Sequence, residues 1–521
     1  MRILEGSAER GPVVSSTVLL GALSILTVAI VNDKAVMEAT AVVGFAALVA
    51  LTYRHMLAWT TLVGVLTAVI LFIPIRRYTM PGDLPFELEP YRVLMAFVIA
   101  GWLASLLVDP RVRLRATGWE APLGLIVAAT LASVIANPGR VASVSADVAK
   151  GLTFFFSFLL FVYLYRSVIG PGKALDRLLK VLVGGGGVLA ILTIVEARTH
   201  YNVFNHLHEV VPILELVEAP SEESRGGRLR VFASAQHPIA LGAALVLLVP
   251  LAIYLARRNK VWYGVAGLLA LATIATVSRT SIVMLIVVGL VYLALRPKQT
   301  KRLWPLLIPV LLMAHIALPG TLGSLKKAFF PEGGLIAEQQ GAAGQRGSGR
   351  IADLGPSLEE WSRRPVVGQG YSTRVVDLER QNAAILDNQW LVTLLETGAV
   401  GAFGFIWLFW RAVRRMGRAA KEDESDRGWL LAGLAASILA FAVGMFTYDA
   451  FSFIQVTFLL FILLAVGSVA LDARPEEFAR RAPDPDGPRT GLRRSIGQRV
   501  AGARRPPRPP RPAVSTQMRE G

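Results

Sequence analysis

Apolar stretches of about 16 to 22 residues recur along this 521-residue chain, separated by short clusters of Arg, Lys, Pro and Gly. A bilayer's hydrocarbon core is crossed by roughly 17 to 25 helical residues, so each stretch is a candidate spanning helix. About fourteen such spans (12–14) follow from the pattern. They cover residues 13–31, 35–53, 57–75, 91–108, 121–136, 148–165, 178–195, 238–256, 261–277, 280–295, 303–318, 389–410, 429–446 and 451–471. The expected fold is all-α, a polytopic transmembrane helical bundle.

Two long polar breaks interrupt the series, at 196–237 and 319–388. Each carries a helical apolar stripe. In the first, Val203, Phe204, Leu207, Val210, Val211 and Leu214 predict an amphipathic surface helix. In the second, Ile351, Leu354, Leu358 and Trp361 predict another, lying on the membrane surface with Trp361 at the headgroup level.

Composition narrows the class without changing it. With 54% hydrophobic and 17% charged residues and a mean hydropathy of +0.52, the chain is too apolar for a soluble domain. The formal charge of +17 does not point to nucleic acid in such a chain, because basic residues first report which side of the membrane they occupy. The basic turns at 111–115, 257–260, 296–302 and 411–421 fall on one side, which the positive-inside rule makes cytoplasmic. Both termini fall on that side too. The expected organisation is therefore a cytoplasmic N-terminus over 1–12, a transmembrane domain over 13–471 and a basic Pro/Arg-rich cytoplasmic tail over 472–521. The tail reads as disordered, and the first span as a retained helix rather than a signal peptide. The loops at 196–237 and 319–388 then face outward, and the expected location is a bacterial plasma membrane.

Those loops are rich in arginine. Arg350 precedes the first turn of the second surface helix, beside Gly347 and Gly349, a corner where a guanidinium and free backbone N–H groups can hold an anion. Arg228 and Arg230 stand just before the span that Pro238 opens, and Arg279 sits in the short turn "VSRTS". Arg363, Arg364 and Arg374 read as facing solvent or headgroups. Glu396, two turns into an apolar helix, is either a functional group or a buried partner for an arginine such as Arg279. His237 is a candidate polar ligand at a helix start. With no cysteine, and a His206–His208 pair that does not share a helix face, no metal site is expected.

Read in order, "RLRVFASAQHPIALG", "VSRTSIVMLIVVGL", "GSGRIADLGPSLEEWSRRPVVGQGY" and "LDNQWLVTLLETGAVG" resemble the membrane region of the O-antigen ligase and polymerase family, from about Arg228 to Trp410. The family comprises membrane-embedded GT-C type glycosyltransferases that take a glycan from an undecaprenyl diphosphate carrier on the outer face of the bacterial plasma membrane. The resemblance implies a metal-independent transfer with no cofactor. The donor would be an undecaprenyl diphosphate-linked glycan and the acceptor a saccharide or glycolipid, with envelope polysaccharide assembly proteins as further partners. Catalytic roles fall to Arg350, Arg230 and Asp387, and substrate contacts to Arg228, Arg279, His237, Asn388 and Glu396.

One departure matters. Ligases of the family place His-Asn before the helix that follows the large loop, whereas this chain has Asp387-Asn388, then Gly398 and Gly401. Aspartate occupies this position in members read as polymerases. Asp387 suits either a base for the acceptor hydroxyl or an N-cap. Two other readings share the hydropathy pattern: a lipid-linked oligosaccharide flippase or other transporter, and a non-catalytic assembly subunit. Arginines gathered at the outer rim and dissimilar halves favour the transferase.

Overall fold

The computed structural model describes residues 58–81, 88–110, 112–217, 224–225, 228–303, 305, 307–331, 333–340, 350–376 and 381–478. The N-terminal segment 1–12, the spans expected at 13–31 and 35–53, the glycines Gly347 and Gly349 and the tail from 479 lie outside the described residues.

The chain is a helical bundle. Its main helices are α1 (Trp59–Phe72), α2 (Pro90–Val108), α3 (Glu120–Ala136), α4 (Ser145–Val168), α5 (Lys173–Thr199), α6 (Pro238–Ala256), α7 (Val261–Ala275) and α8 (Arg279–Leu295). After these come α9 (Leu307–Ala317), α10 (Thr321–Phe329), α11 (Leu354–Ser362), α12 (Gln389–Glu422), α13 (Asp426–Gly444) and α14 (Ile454–Asp472). Among the described residues, seven helices are long and apolar enough to cross a membrane, or eight if one bent pair forms a single span; α1, α3, α7 and α8 are shorter apolar helices. The only β-structure described is two pairs of two-residue strands, β1 (Tyr78–Thr79) with β2 (Glu215–Leu216) and β3 (Ser224–Arg225) with β4 (Arg228–Leu229).

Two elements depart from the sequence pattern. The span expected at 303–318 is broken: α9 has 11 residues, about 16 Å of helix against a hydrocarbon core of about 30 Å, and the chain then bends by 109° into α10. Pro319 cannot donate to a continuing helix, and Gly320 takes the left-handed conformation at φ 81°. The surface helix expected over 203–214 forms only a 3-10 turn (Val203–Asn205) and one α-turn (Leu207–Val210) before the chain extends into β2. Local bonds capture it. Asn202 accepts from the Phe204 N–H, and the Tyr78 hydroxyl donates to the Phe204 carbonyl and accepts from the Leu207 N–H.

Helices α6, α13 and α14 are almost wholly buried and form the core; α13 packs against α6, α8 and α12, and α14 against α4. Outward, Phe97 and Leu107 on α2 and Ile286 and Leu290 on α8 are exposed, an apolar surface suited to lipid. The basic turn after α6 lies at one end, where Arg258 bonds Asp176 and Asp426 and Arg257 bonds Asp426 while stacking over Trp429. The starts of α6, α8, α12 and α14 lie at the other end, and the sequence-predicted site residues are found there.

Candidate functional site

The connection between α13 and α14, residues 445–453, organises this end of the bundle. The backbone N–H of Gln389, first residue of α12, donates to the carbonyls of Met445 (2.8 Å) and Tyr448 (3.1 Å), and its side-chain oxygen accepts from the Phe451 N–H (2.8 Å). Gln236, just before α6, accepts from the Ile454 N–H at 3.1 Å. Thr280 at the start of α8 and Thr447 share a hydroxyl hydrogen bond of 2.8 Å. Three helix starts from distant parts of the sequence therefore converge on this connection and the first residue of α14.

Helix α12 is interrupted at Gly398, whose φ of 67° and ψ of −169° are not helical. Segment 365–369 fills the break. The Ala399 N–H donates to the Pro365 carbonyl (2.8 Å), the Val400 N–H to that of Val366 (3.3 Å), and the Gln369 N–H to that of Leu395 (2.9 Å). A hydroxyl of α3, Ser133, donates to the Glu396 carbonyl. Backbone groups that a break would leave bare in an apolar surrounding are thus satisfied by a second piece of chain. This filling is the sequence "PVVGQ". Leading into it, Ile351 before α11 and Leu354 and Leu358 on it are exposed, while Trp361 packs on Leu386, Leu391 and Leu395 and donates its indole N–H to the Pro365 carbonyl at 3.0 Å.

Arg350 and Asp387 meet. The guanidinium Nη2 stands 3.1 Å from the Asp387 Oδ2, both side chains largely buried, and Nη1 donates to Gln339 Oε1 at 3.3 Å. The cap of α12 belongs to the next residue, because Asn388 Oδ1 accepts from the N–H groups of Trp390 (3.0 Å) and Leu391 (3.3 Å). Asp387 is thereby released from capping. Asn388→Ala should lower thermal stability by about 1 kcal/mol, within the 0.5–2 typical of a lost cap, measured by unfolding of purified protein.

Of the remaining candidates, Arg230 is buried, its Nε 3.5 Å from the Thr276 carbonyl at the turn that leads to Arg279. Arg279 donates to the Ala328 carbonyl on α10 at 3.1 Å. Glu396 feels the charges of Arg374 and Arg140 and is bonded by the Ser372 backbone. His237 caps α6, its Nδ1 accepting from the Ile239 N–H at 3.1 Å, with its ring beside Phe453. Arg228 lies in β4, paired with Arg225. The three arginines expected to face solvent divide: Arg363 is exposed, whereas Arg364 binds the Ala136 carbonyl and Asn137, and Arg374 grips both oxygens of Glu360 at 2.9 and 3.1 Å. The last two fasten the loop onto α3 and α11.

A cavity of about 610 Å³ is walled by α4, α12, α14 and segments 371–376 and 384–386, and neither Arg350 nor Asp387 is among its lining residues. Leu386 and Gln389, on either side of Asp387-Asn388, both line it, and so does Glu396. Arg76 and Asp449 also line it, and sequence reading missed both. The signal was available for Asp449, a lone acid in the short "TYDAFS" connection between two apolar helices. Burial raises the Asp449 carboxyl to about 7, the charge of Asp387 pushes the same way, and a Ser452 hydrogen bond and Arg76 oppose. The folded protein therefore holds this proton between the ordinary 3.8 and about 7, while the unfolded chain has lost it. Stability from this group is complete below that window and is lost as pH rises through it. Melting curves should show wild type losing stability from pH 4 to 7 relative to Asp449→Asn, whose profile should be flatter.

Residues 264–406 match a family model described as O-antigen ligase. The matched stretch holds α8 to α11 and the first half of α12, and with them Arg279, Arg350, Asp387, Asn388, Glu396 and Gly398; Arg228, Arg230 and His237 precede it. The resemblance drawn from the sequence is upheld over that stretch, and the long apolar helices make the protein a multi-pass membrane protein. No curated protein matches the chain.

Proposed function

We propose that the protein transfers a glycan from an undecaprenyl diphosphate carrier to a sugar hydroxyl at the outer face of a bacterial plasma membrane. The observation that carries this reading is the Arg350–Asp387 contact, inside the stretch that matches the O-antigen ligase family, with the cavity-lining Leu386 and Gln389 on either side of Asp387-Asn388. The outward assignment of this end draws on charge, since basic turns such as Arg257–Lys260 lie at the opposite end of the bundle.

In this reading the acceptor hydroxyl attacks the anomeric carbon, the bond from that carbon to the diphosphate oxygen breaks, and the hydroxyl proton passes to the Asp387 carboxylate. Undecaprenyl diphosphate leaves carrying the electron pair. Arg350, which stays charged and can bind phosphate oxygens through two N–H groups, stabilises the leaving group without a metal, with Arg230 as the second cation. Because Arg350 contacts Asp387, one residue can hold the leaving group and the base in register. Arg228, Arg279, His237 and Asn388 support the same end of the bundle. Asp387 in place of the ligases' histidine favours the polymerase form of the reaction.

The test is to give purified full-length protein, in lipid, the host's undecaprenyl diphosphate-linked oligosaccharide and look for longer lipid-linked chains by mass spectrometry. Extension that disappears in Arg350→Ala and Asp387→Asn supports the assignment. Full activity in both variants removes it, and movement of the lipid across the bilayer without extension makes the protein a transporter.

A further inference from the structure

We infer that the 610 Å³ cavity is the acceptor subsite, built for a short saccharide, with Asp449 as the group that receives its hydroxyls. The inference rests on the transfer reading for the word acceptor, but the pocket's chemistry stands apart from it. One wall is aromatic: Phe154, Phe155 and Phe158 on α4, Phe451 from the α13–α14 connection and Tyr371. Phe155 and Tyr371 approach to 5.6 Å between ring centroids, and Phe405 and Phe451 to 4.9 Å, so the rings form continuous surfaces. Three acids and three bases also line it, Asp449, Glu396 and Asp147 with Arg76, Lys150 and Arg374, among aliphatic residues such as Val217, Ile385 and Val392 and neutral polar ones such as Gln389 and Thr393.

This mixture discriminates between ligands. A polyprenyl chain filling the space would cover charged groups with hydrocarbon, which is costly for every group left unbonded. A saccharide has apolar ring faces for the phenyl groups and hydroxyls for the carboxylates, so both walls are matched at once. The volume falls within the roughly 300–1,000 Å³ of small-molecule sites.

Position supports the same ligand. Gln389 lines the cavity while its backbone and side chain are fixed to Met445, Tyr448 and Phe451. Asp449, adjacent to Tyr448, is thereby held to the start of α12, and its carboxylate lies close enough to Asp387 for their charges to interact. A sugar ring bound between Phe451 and Asp449 would present a hydroxyl at the cavity's Leu386–Gln389 edge, where Asp387 stands. Asp449 is then a binding and positioning residue, distinct from the base.

The experiment is a binding measurement that needs no turnover. Full-length protein in lipid nanodiscs is titrated with a fluorophore-tagged oligosaccharide, released by mild acid from the host's own lipid-linked glycan, and anisotropy is read. Undecaprenyl diphosphate alone serves as a competitor. Wild type should bind, Asp449→Asn and Phe451→Ala should each weaken binding by about tenfold or more, and the competitor should not displace the sugar. Phe155→Leu, which keeps apolar volume and removes a ring, should weaken it also, so the result does not hang on one variant's folding. Unchanged binding in all three folded variants, or displacement by undecaprenyl diphosphate, overturns the subsite. Saccharide binding that depends on Asp449 in a protein without transferase activity would uphold the pocket and remove the transfer reading instead.

Discussion

Asp387→Asn should lower the turnover number for glycan transfer by about 10²–10⁴, the range a positioned general base contributes, with little effect on donor binding. Asparagine keeps the shape and a hydrogen bond to Arg350 but cannot take a proton at neutral pH. Arg350→Ala should cost about 10²–10³, the scale of a lost donor to developing charge, and it also strips Asp387 of its 3.1 Å partner. Because the two side chains touch, the double variant should be less impaired than the product of the single effects. A fully multiplicative double variant would mean that the residues act separately and that their contact is incidental. Arg350→Lys should rescue only in part, since an ammonium group supplies the charge without the two-pronged geometry.

Gly398→Ala should be at least as damaging, through structure rather than chemistry. A Cβ at Gly398 would lie 2.2 Å from the Val366 carbonyl oxygen and 2.4 Å from its carbon, backbone atoms that cannot swing aside. The φ and ψ at this position belong to a region essentially reserved for glycine, which alone costs about 1–3 kcal/mol. Segment 365–369 would be pushed out, leaving the Ala399, Val400 and Leu395 backbone groups unsatisfied. Purified Gly398→Ala should therefore melt well below wild type, and the fraction that remains folded should be inactive. Gly355→Ala provides the control: a Cβ there meets nothing within 4 Å, its φ is not positive, and a helical position gains up to about 1 kcal/mol from alanine.

Eleven of the twelve apolar stretches expected within the described residues each fall on one helix, seven of these long and apolar enough to cross a membrane, because a helix facing lipid or a helical core has to be apolar along its length. Where the apolar pattern failed, at α9 and over 203–214, local groups decided the outcome: a Pro-Gly pair at one, and Asn202 with Tyr78 at the other. The Arg350–Asp387 pairing joins two residues 37 positions apart, each flagged by its own neighbours. The cavity was not legible. It is assembled from α4, α12, α14 and the large loop, and the apolar patterns of these segments say nothing about which of them meet. Asp449 and Arg76 carry ordinary local sequence signals whose meaning comes from that assembly. The Gly398–Gly401 spacing was visible, but the backbone inserted at Gly398 from upstream segment 365–369 was not.

That insertion has a consequence for engineering. Because segment 365–369 supplies bonds to α12 that α12 cannot make for itself, loop and helix are one exchangeable part. A chimera that takes only the large loop from a relative would set a foreign backbone into a gap shaped by this chain's own Val366 and Gly368, whereas exchanging 350–401 as a block carries the plug together with its socket. Loop exchanges between such proteins should therefore cross that boundary as one block.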